Sequence, residues 1–187
     1  MTRIVPADYR RGRGFTLIEL MVALAVVAIL LTVATPPLTA WVDRMKVLAE
    51  TTELLESFSL GRQYAINSRN YVTICGTTSG NQCDGGWETG FLVFVSDGTN
   101  NEFVDRRTTP VLHHYKTGDT FTTQGNIRKF VFRPSGLLKG RSGSLLYCPK
   151  SQAVKDYRRI VVSQGGRIRS YTPQEVAKKR YLSQMSC

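Results

Sequence analysis

The sequence predicts an α+β fold: one long amino-terminal helix followed by a domain of short strands. Three observations predict it. An apolar run at 15–35 is long enough for about six helical turns. An amphipathic pattern then continues to residue 66 in three- and four-residue steps. From residue 71 onward the pattern changes to short β-branched and aromatic runs, separated by Gly, Asn, Asp, Pro and Ser. Helix first and strands afterwards is the order of an α+β domain.

Residues 1–14 form a basic leader, with Arg3, Arg10, Arg11 and Arg13 against Asp8, a net of +3. Positive charge ahead of an apolar run predicts that the leader stays cytoplasmic. A transmembrane helix is expected over 15–36, since about 20 apolar residues cross a bilayer. Between Phe15 and Val42 the only ionisable side chain is Glu19. A carboxylate in hydrocarbon costs about 2.5–3.5 kcal/mol. A segment that only spanned lipid would lack it, so Glu19 implies a partner met during function. A cleavable secretory signal has the same zones, with Ala34 and Ala40 near a possible cut, but the length of the run and Glu19 argue against it. A plain anchor explains the length and leaves Glu19 unexplained.

Gly14-Phe15-Thr16-Leu17-Ile18-Glu19 resembles the prepilin processing site of type IV pilins and type II secretion pseudopilins. The resemblance implies a prepilin peptidase that cuts after Gly14 and methylates the new amino terminus at Phe15. It also implies that Glu19 pairs with the terminal amine of a neighbouring subunit, which supplies the missing partner.

Pro36-Pro37 predicts a kink or short break, because proline removes a backbone donor and crowds the preceding turn. The amphipathic half of the helix is expected over 37–70. Its apolar stripe reads Trp41, Met45, Leu48, Thr52, Leu55, Phe58, Ala65 and Ile66, and should pack on the chain's own globular domain. Asp43, Arg44, Lys46, Glu50, Glu53, Glu56 and Arg62 interleave. The helix should end near Asn67-Ser68-Arg69-Asn70.

The remaining residues, 71–187, suffice for one periplasmic head domain with a real core. Strands are expected at 71–75, 90–95, 111–115, 127–132, 143–148, 158–163 and 167–171. Four cysteines lie beyond the apolar run, where the predicted topology permits disulfides. Three pairings are possible. Cys75 with Cys83 closes a short loop, and Cys148 with Cys187 staples the last residue to a strand; this pairing is preferred. The spacings match no common zinc pattern.

Thr73-Ile74-Cys75, Trp87-Glu88-Thr89-Gly90-Phe91-Leu92-Val93-Phe94, Phe132-Arg133-Pro134-Ser135-Gly136, and Ile160-Val161-Val162-Ser163 leading to Gly166-Arg167-Ile168-Arg169 resemble the GspH/FimT group of minor pilins. The resemblance implies a type IV pilin fold, a long helix packed on an antiparallel sheet. One departure is the family's acidic, calcium-like stretch, reduced here to 96–101. Asp97, Asn100 and Glu102 are candidate cation ligands there, but a plain turn is the expectation.

The charge is segregated. Residues 126–187 hold fourteen Lys or Arg against Asp156 and Glu175, a net of +12, whereas 15–125 carry a net of −4. Such a basic concentration is the footprint of a polyanion. Arg167 and Arg169, two apart on a strand, share one face. Gly165-Gly166 before them permit a sharp turn. Guanidinium forks suit phosphate oxygens. FimT members that act in natural transformation carry a Gly-Arg-x-Arg element, matched here by Gly166, Arg167 and Arg169. Arg158, Arg159, Lys178, Lys179 and Arg180 extend the candidate DNA-binding set, the last three on a tail helix over 175–182. Tyr171 and Tyr181 offer rings for stacking.

The sequence therefore reads as a minor pilin of a DNA-binding pilus. Its expected partners are other minor and major pilins, prepilin peptidase, the inner membrane before assembly, and DNA bound without base readout. Contact of the arginines with an adjacent subunit is the rival use of that charge. Rival functions are a pilus-priming minor pilin without DNA binding and a GspH-like pseudopilin of type II secretion. No catalytic residue, cofactor or metal is assigned. His113 and His114 are neighbours on a strand and should face opposite ways, and no phosphate loop or nucleophile elbow is present.

Overall fold

The computed structural model describes residues 14–99, 104–118, 121–125, 127–150, 157–178 and 187, with no side chains described at 33–37, 39 and 40. The leader therefore lies outside the described residues, apart from Gly14. Elements run α1 (Leu17–Ser68), β1 (Tyr71–Gly76), β2 (Gly90–Ser96), β3 (Val111–Lys116), β4 (Phe121–Gly125), β5 (Lys129–Phe132), β6 (Gly143–Pro149), β7 (Arg158–Val162), β8 (Ile168–Tyr171) and α2 (Pro173–Lys178). Two compact units are present, Met1–Thr39 and Ala40–Cys187.

In the first unit, Thr16 caps α1. Its hydroxyl accepts the Glu19 N–H at 3.3 Å and its carbonyl accepts the Leu20 N–H at 3.2 Å. Thr-x-x-Glu is the spacing of a capping box, and Glu19 lies in the first turn, where exposed N–H groups favour an anion. Side chains 17–32 are exposed. Among the described residues no helix is long and apolar enough to cross a membrane; the described side chains of the run stop at Thr32, short of the ~20 residues that a crossing takes. The break expected at Pro36-Pro37 is absent, and the backbone stays helical there. Proline's fixed φ is itself helical, so the loss is confined to donors and sterics.

In the second unit, the buried face of α1 is Val47, Thr51, Leu54, Phe58, Gly61 and Ala65, in steps of three and four, with Ser57 buried beside Phe58. This corrects the expected stripe. Trp41, Met45, Leu48, Thr52 and Ile66 are exposed, Leu55 is half-buried, and only Phe58 and Ala65 belong to the packed face. The reason is close approach. A Cβ at Gly61 would meet Ile74 Cδ1 at 3.0 Å and Val72 Cγ1 at 3.3 Å. The sheet selects small side chains there rather than the most hydrophobic ones. Thr51 tolerates burial because its hydroxyl donates to the Val47 carbonyl at 2.8 Å. Arg69, at φ 55°, follows the last helical residue in the left-handed conformation typical of helix ends.

Two four-stranded antiparallel sheets follow, ordered β3-β2-β1-β5 and β4-β6-β7-β8. Every expected run contributes a strand, though residues 127–128 precede β5 and Arg167 precedes β8. β4 is an addition. One core joins α1 to both sheets, from Leu54 and Phe58 through Ile74, Phe91 and Phe132 to Leu145, Tyr147 and Ile160. Phe58 meets Phe130 edge-on at 5.0 Å, with Trp87 at 6.4 Å and Phe132 at 6.5 Å. The Trp87 indole N–H donates to the Ile127 carbonyl at 3.1 Å. Cys75 is bonded to Cys83 and Cys148 to Cys187.

Candidate functional site

The tip of the β7–β8 hairpin is built by its own turn. Gly166 N–H donates to the Ser163 carbonyl at 2.8 Å, and Ser163 N–H donates to the Arg167 carbonyl at 2.9 Å. The Ser163 hydroxyl also accepts the Arg167 N–H at 3.1 Å. Gly166 sits at φ +74°, and a Cβ there would lie 2.0 Å from the Gly136 carbonyl oxygen. Only glycine fits. Gly136 closes the turn after β5, where its N–H donates to the Arg133 carbonyl at 2.8 Å. Arg62 of α1 donates from Nε to the Gly136 carbonyl at 3.0 Å. Helix, β5–β6 turn and β7–β8 turn are thus fastened together, and Arg167 leaves from that junction.

Arg167 and Arg169 are both exposed and two apart. Arg169 lies in β8 opposite Val161, and Arg167 lies in the turn that leads into the strand. An Arg169 Nη1–H donates to the Tyr171 hydroxyl at 3.4 Å. Lys178 is exposed at the end of α2. That helix is short but well capped. Thr172 donates to Glu175 Oε2 from its N–H at 2.8 Å and its hydroxyl at 3.0 Å, and its hydroxyl accepts the Glu175 N–H at 3.4 Å.

Part of the predicted set does not join this face. Arg159 is buried at 5% exposure, and its guanidinium donates to Ser144 Oγ at 3.1 Å. Burial lowers its pKa. It supports the sheet rather than presenting charge to a ligand. Arg158 pairs with Tyr147 in register, on the strand parity of the core residues Ile160 and Val162, opposite that of Arg159 and Val161. Tyr171 is buried against Val176, so its ring is not a free stacking platform. Lys179, Arg180 and Tyr181 lie outside the described residues, as do Asn100 and Glu102. Asp97 Oδ1 accepts from the Thr99 N–H at 2.8 Å and from its hydroxyl at 2.7 Å, which is turn geometry. No metal-holding group of acids, histidines and cysteines occurs among the described residues.

The two histidines engage different partners. His113 Nε2 lies 2.7 Å from Glu53 Oε1, and His114 Nδ1 lies 3.1 Å from Arg106 Nη2. Burial, and then the Arg106 charge, lower the His114 pKa. At the other end of the chain Phe15 is 84% exposed, and Gly14 and Glu19 are also exposed. Arg62 and Arg133, which the sequence reading left unassigned, flank the same junction as Arg167. Their proximity comes from the meeting of distant segments, and no local pattern signals it.

Residues 50–166 match the family described as type II transport protein GspH, and residues 9–35 match the prokaryotic N-terminal methylation motif. Comparison with curated proteins gives no match. Among solved structures, the type IV minor pilin FimU of Pseudomonas aeruginosa PAO1 is similar at TM-score 0.55 and 17% identity, covering 72% of this chain and 98% of that one. A second crystal form of FimU gives TM-score 0.52 and 19% identity, over 69% of this chain and 98% of that one. The minor pseudopilin EpsH from the Type 2 Secretion System of Vibrio cholerae gives 0.50 and 12% identity, over 70% and 99%. Identities this low establish the fold alone. With the family match over most of the head domain and the methylation motif at the start of α1, the chain belongs to the GspH family of minor pilins and pseudopilins.

Proposed function

We propose that this chain is a minor subunit of a type IV pilus that holds DNA for uptake in natural transformation. A prepilin peptidase cuts after Gly14 and methylates Phe15. The apolar part of α1 anchors the subunit in the inner membrane, with the head domain in the periplasm. On assembly, Glu19 receives the amine of a neighbouring pilin. The capping geometry at Thr16 supports this role, because it holds Glu19 in the first turn beside its own amino terminus. The basic face of β8 then grips DNA phosphates, and retraction draws the strand toward the cell.

One observation carries the DNA reading. Arg167 is exposed at the β7–β8 turn and Arg169 two residues on in β8, within a segment of net charge +12. No ion pair to an acid reaches Arg167 among the described residues. Contact with phosphates takes its affinity from counterion release and reads no sequence.

The Ala40–Cys187 unit contains the hydrophobic clusters and disulfides found among the described residues, so this fragment is expected to fold by itself. Replacing Arg167 and Arg169 with Gln in that fragment is expected to weaken binding at low salt by tenfold or more. The slope of log affinity against log salt should fall by about 1.8, roughly 0.9 for each lost phosphate contact. Undiminished affinity at low salt would remove these residues from the interface. A second reading is a GspH-like pseudopilin of type II secretion, favoured by the description of the matching family. Its partners would be other pseudopilins or secreted proteins rather than DNA.

A further inference from the structure

A cleft lies between the β5–β6 and β7–β8 turns, lined by Arg133, Leu137, Leu138, Gln164 and Gly165. Its walls are preformed. Leu138 N–H donates to the Gln164 carbonyl at 3.0 Å, and Arg133 N–H donates to the Leu137 carbonyl at 2.8 Å. Gln164 N–H donates to Ser142 Oγ at 2.9 Å. Both backbone groups of Gln164 are therefore occupied, and its side-chain amide is left for a ligand.

The chemistry of the lining is mixed in an informative way. Leu138 is buried, while Leu137 is 47% exposed at a turn, where polar residues are usual. Cations surround this apolar surface. Arg133 borders the cleft directly, and Arg167 follows its Gly165 wall by two residues. Arg62 is fixed at Nε by the Gly136 carbonyl. Among the described residues no ion pair to an acid reaches any of the three.

Unpaired guanidinium groups gathered at one junction repel each other unless an anion arrives. A bare phosphate needs no leucine, and an apolar peptide needs no arginines. The ligand that satisfies both halves is a polyanion with flat apolar faces. We propose that this cleft receives one unstacked nucleobase of a single-stranded nucleic acid, while the flanking phosphates rest on Arg133 and Arg167. The proposal rests on the DNA-binding reading above and deepens it. A duplex keeps its bases stacked inside and offers this face only phosphates. An unpaired strand adds the face of a base, which packs on Leu137 and on a guanidinium plane. The Gln164 amide, donor and acceptor together, can meet an edge of any base, so the preference is for unpaired strand rather than for sequence.

The full-length chain in detergent tests this with three labelled probes of equal length: a thymidine single strand, an abasic single strand and a duplex. The thymidine strand is expected to bind about tenfold tighter than the abasic strand. Leu137→Ser should abolish that advantage and leave abasic and duplex affinities unchanged. Gln164→Ala should reduce it in part. Leu137 lies on a surface turn, and an unchanged melting temperature would show that the variant is folded. Equal binding of thymidine and abasic strands, both dependent on Arg167, would overturn the cleft while keeping the DNA reading. No binding of any probe by the unaltered protein would overturn both.

Discussion

The two sheets of the head domain share one core but differ on their other faces. In β3-β2-β1-β5, Val72, Ile74, Phe91 and Val93 face the main core. On the opposite side Cys75, Leu92 and Phe94 join a second cluster with Cys83 and Val104. In β4-β6-β7-β8, Leu145, Tyr147, Ile160 and Val162 face the core, while β4 and β8 each expose several residues and β8 carries Arg169 outward. The second sheet also buries its other face at Leu146, Cys148, Arg159 and Tyr171, and opens at its edge strand β8, where Arg169 is exposed. On the proposed reading the DNA-holding face lies at the edge of the second sheet, while Phe58 packs on the side of the first, so the two can be disturbed separately.

The largest disturbance should come from Phe58. Its ring joins α1 to Trp87, Phe130 and Phe132, all on the side of the first sheet. Phe58→Ala should cost about 3–5 kcal/mol of stability, read by urea unfolding. The protein that remains folded should bind DNA with unchanged affinity. A matching loss of affinity would show that the basic hairpin depends on the first sheet after all.

The disulfides sharpen the same division, since each sheet has one. Cys75–Cys83 closes a separation of 8 residues in the first sheet, and Cys148–Cys187 closes 39 in the second. Chain entropy alone assigns about 2.5 kcal/mol to the shorter loop and about 4 kcal/mol to the longer. Paired Cys→Ser variants should follow that order on chemical unfolding. A reversed order would mean that the second cluster around Cys75 and Cys83 outweighs loop length.

The sequence made parts of this legible. Short β-branched and aromatic runs located seven strands, because strand propensity and the turn residues that bound each run are local signals. The disulfide pairing followed from which cysteines bound a loop and which one ends the chain. β4 was missed although Phe121, Thr122 and Thr123 have strand propensity, since five residues bounded by Gly125 read equally well as a loop. The packed face of α1 was misjudged because Thr51, Ser57 and Gly61 lie on it beside Val47 and Leu54, so apolar residues alone did not fix where the stripe runs. Small residues permit close approach there, and hydropathy scores them as polar or neutral. In the site, Gly166, Arg167 and Arg169 were visible as a motif. Arg159 was indistinguishable from the exposed arginines of the segment, because burial of a guanidinium beside Ser144 is decided by register. Arg62 and Arg133 became relevant only when the chain brought three segments together.

The smallest expected effect concerns the seam between α1 and both sheets. Glu50 Oε1 accepts the Gly118 N–H at 3.3 Å, while Glu50 Oε2 and the Tyr147 hydroxyl are buried without a hydrogen-bond partner among the described residues. Burial raises the pKa of Glu50, with the neighbouring Glu53 adding to it and hydrogen bonds from Gly118 and Tyr115 opposing it. Burial likewise pushes the Tyr147 hydroxyl upward. The sign follows from proton counting. Above the ordinary value of 4.5 the folded chain holds a proton on Glu50 that the unfolded chain has released. The contribution is fully present below that pH and is lost as pH rises through the raised value. Glu50→Gln keeps a carbonyl for Gly118 and cannot ionise. Unfolding free energy measured across that interval should fall with pH in the unaltered protein and fall less in the variant. The difference should be smaller than either disulfide effect, since a single partly exposed carboxyl carries it. Identical slopes would show that Glu50 is hydrated and that the seam between helix and sheets is as open as the outer face of β8.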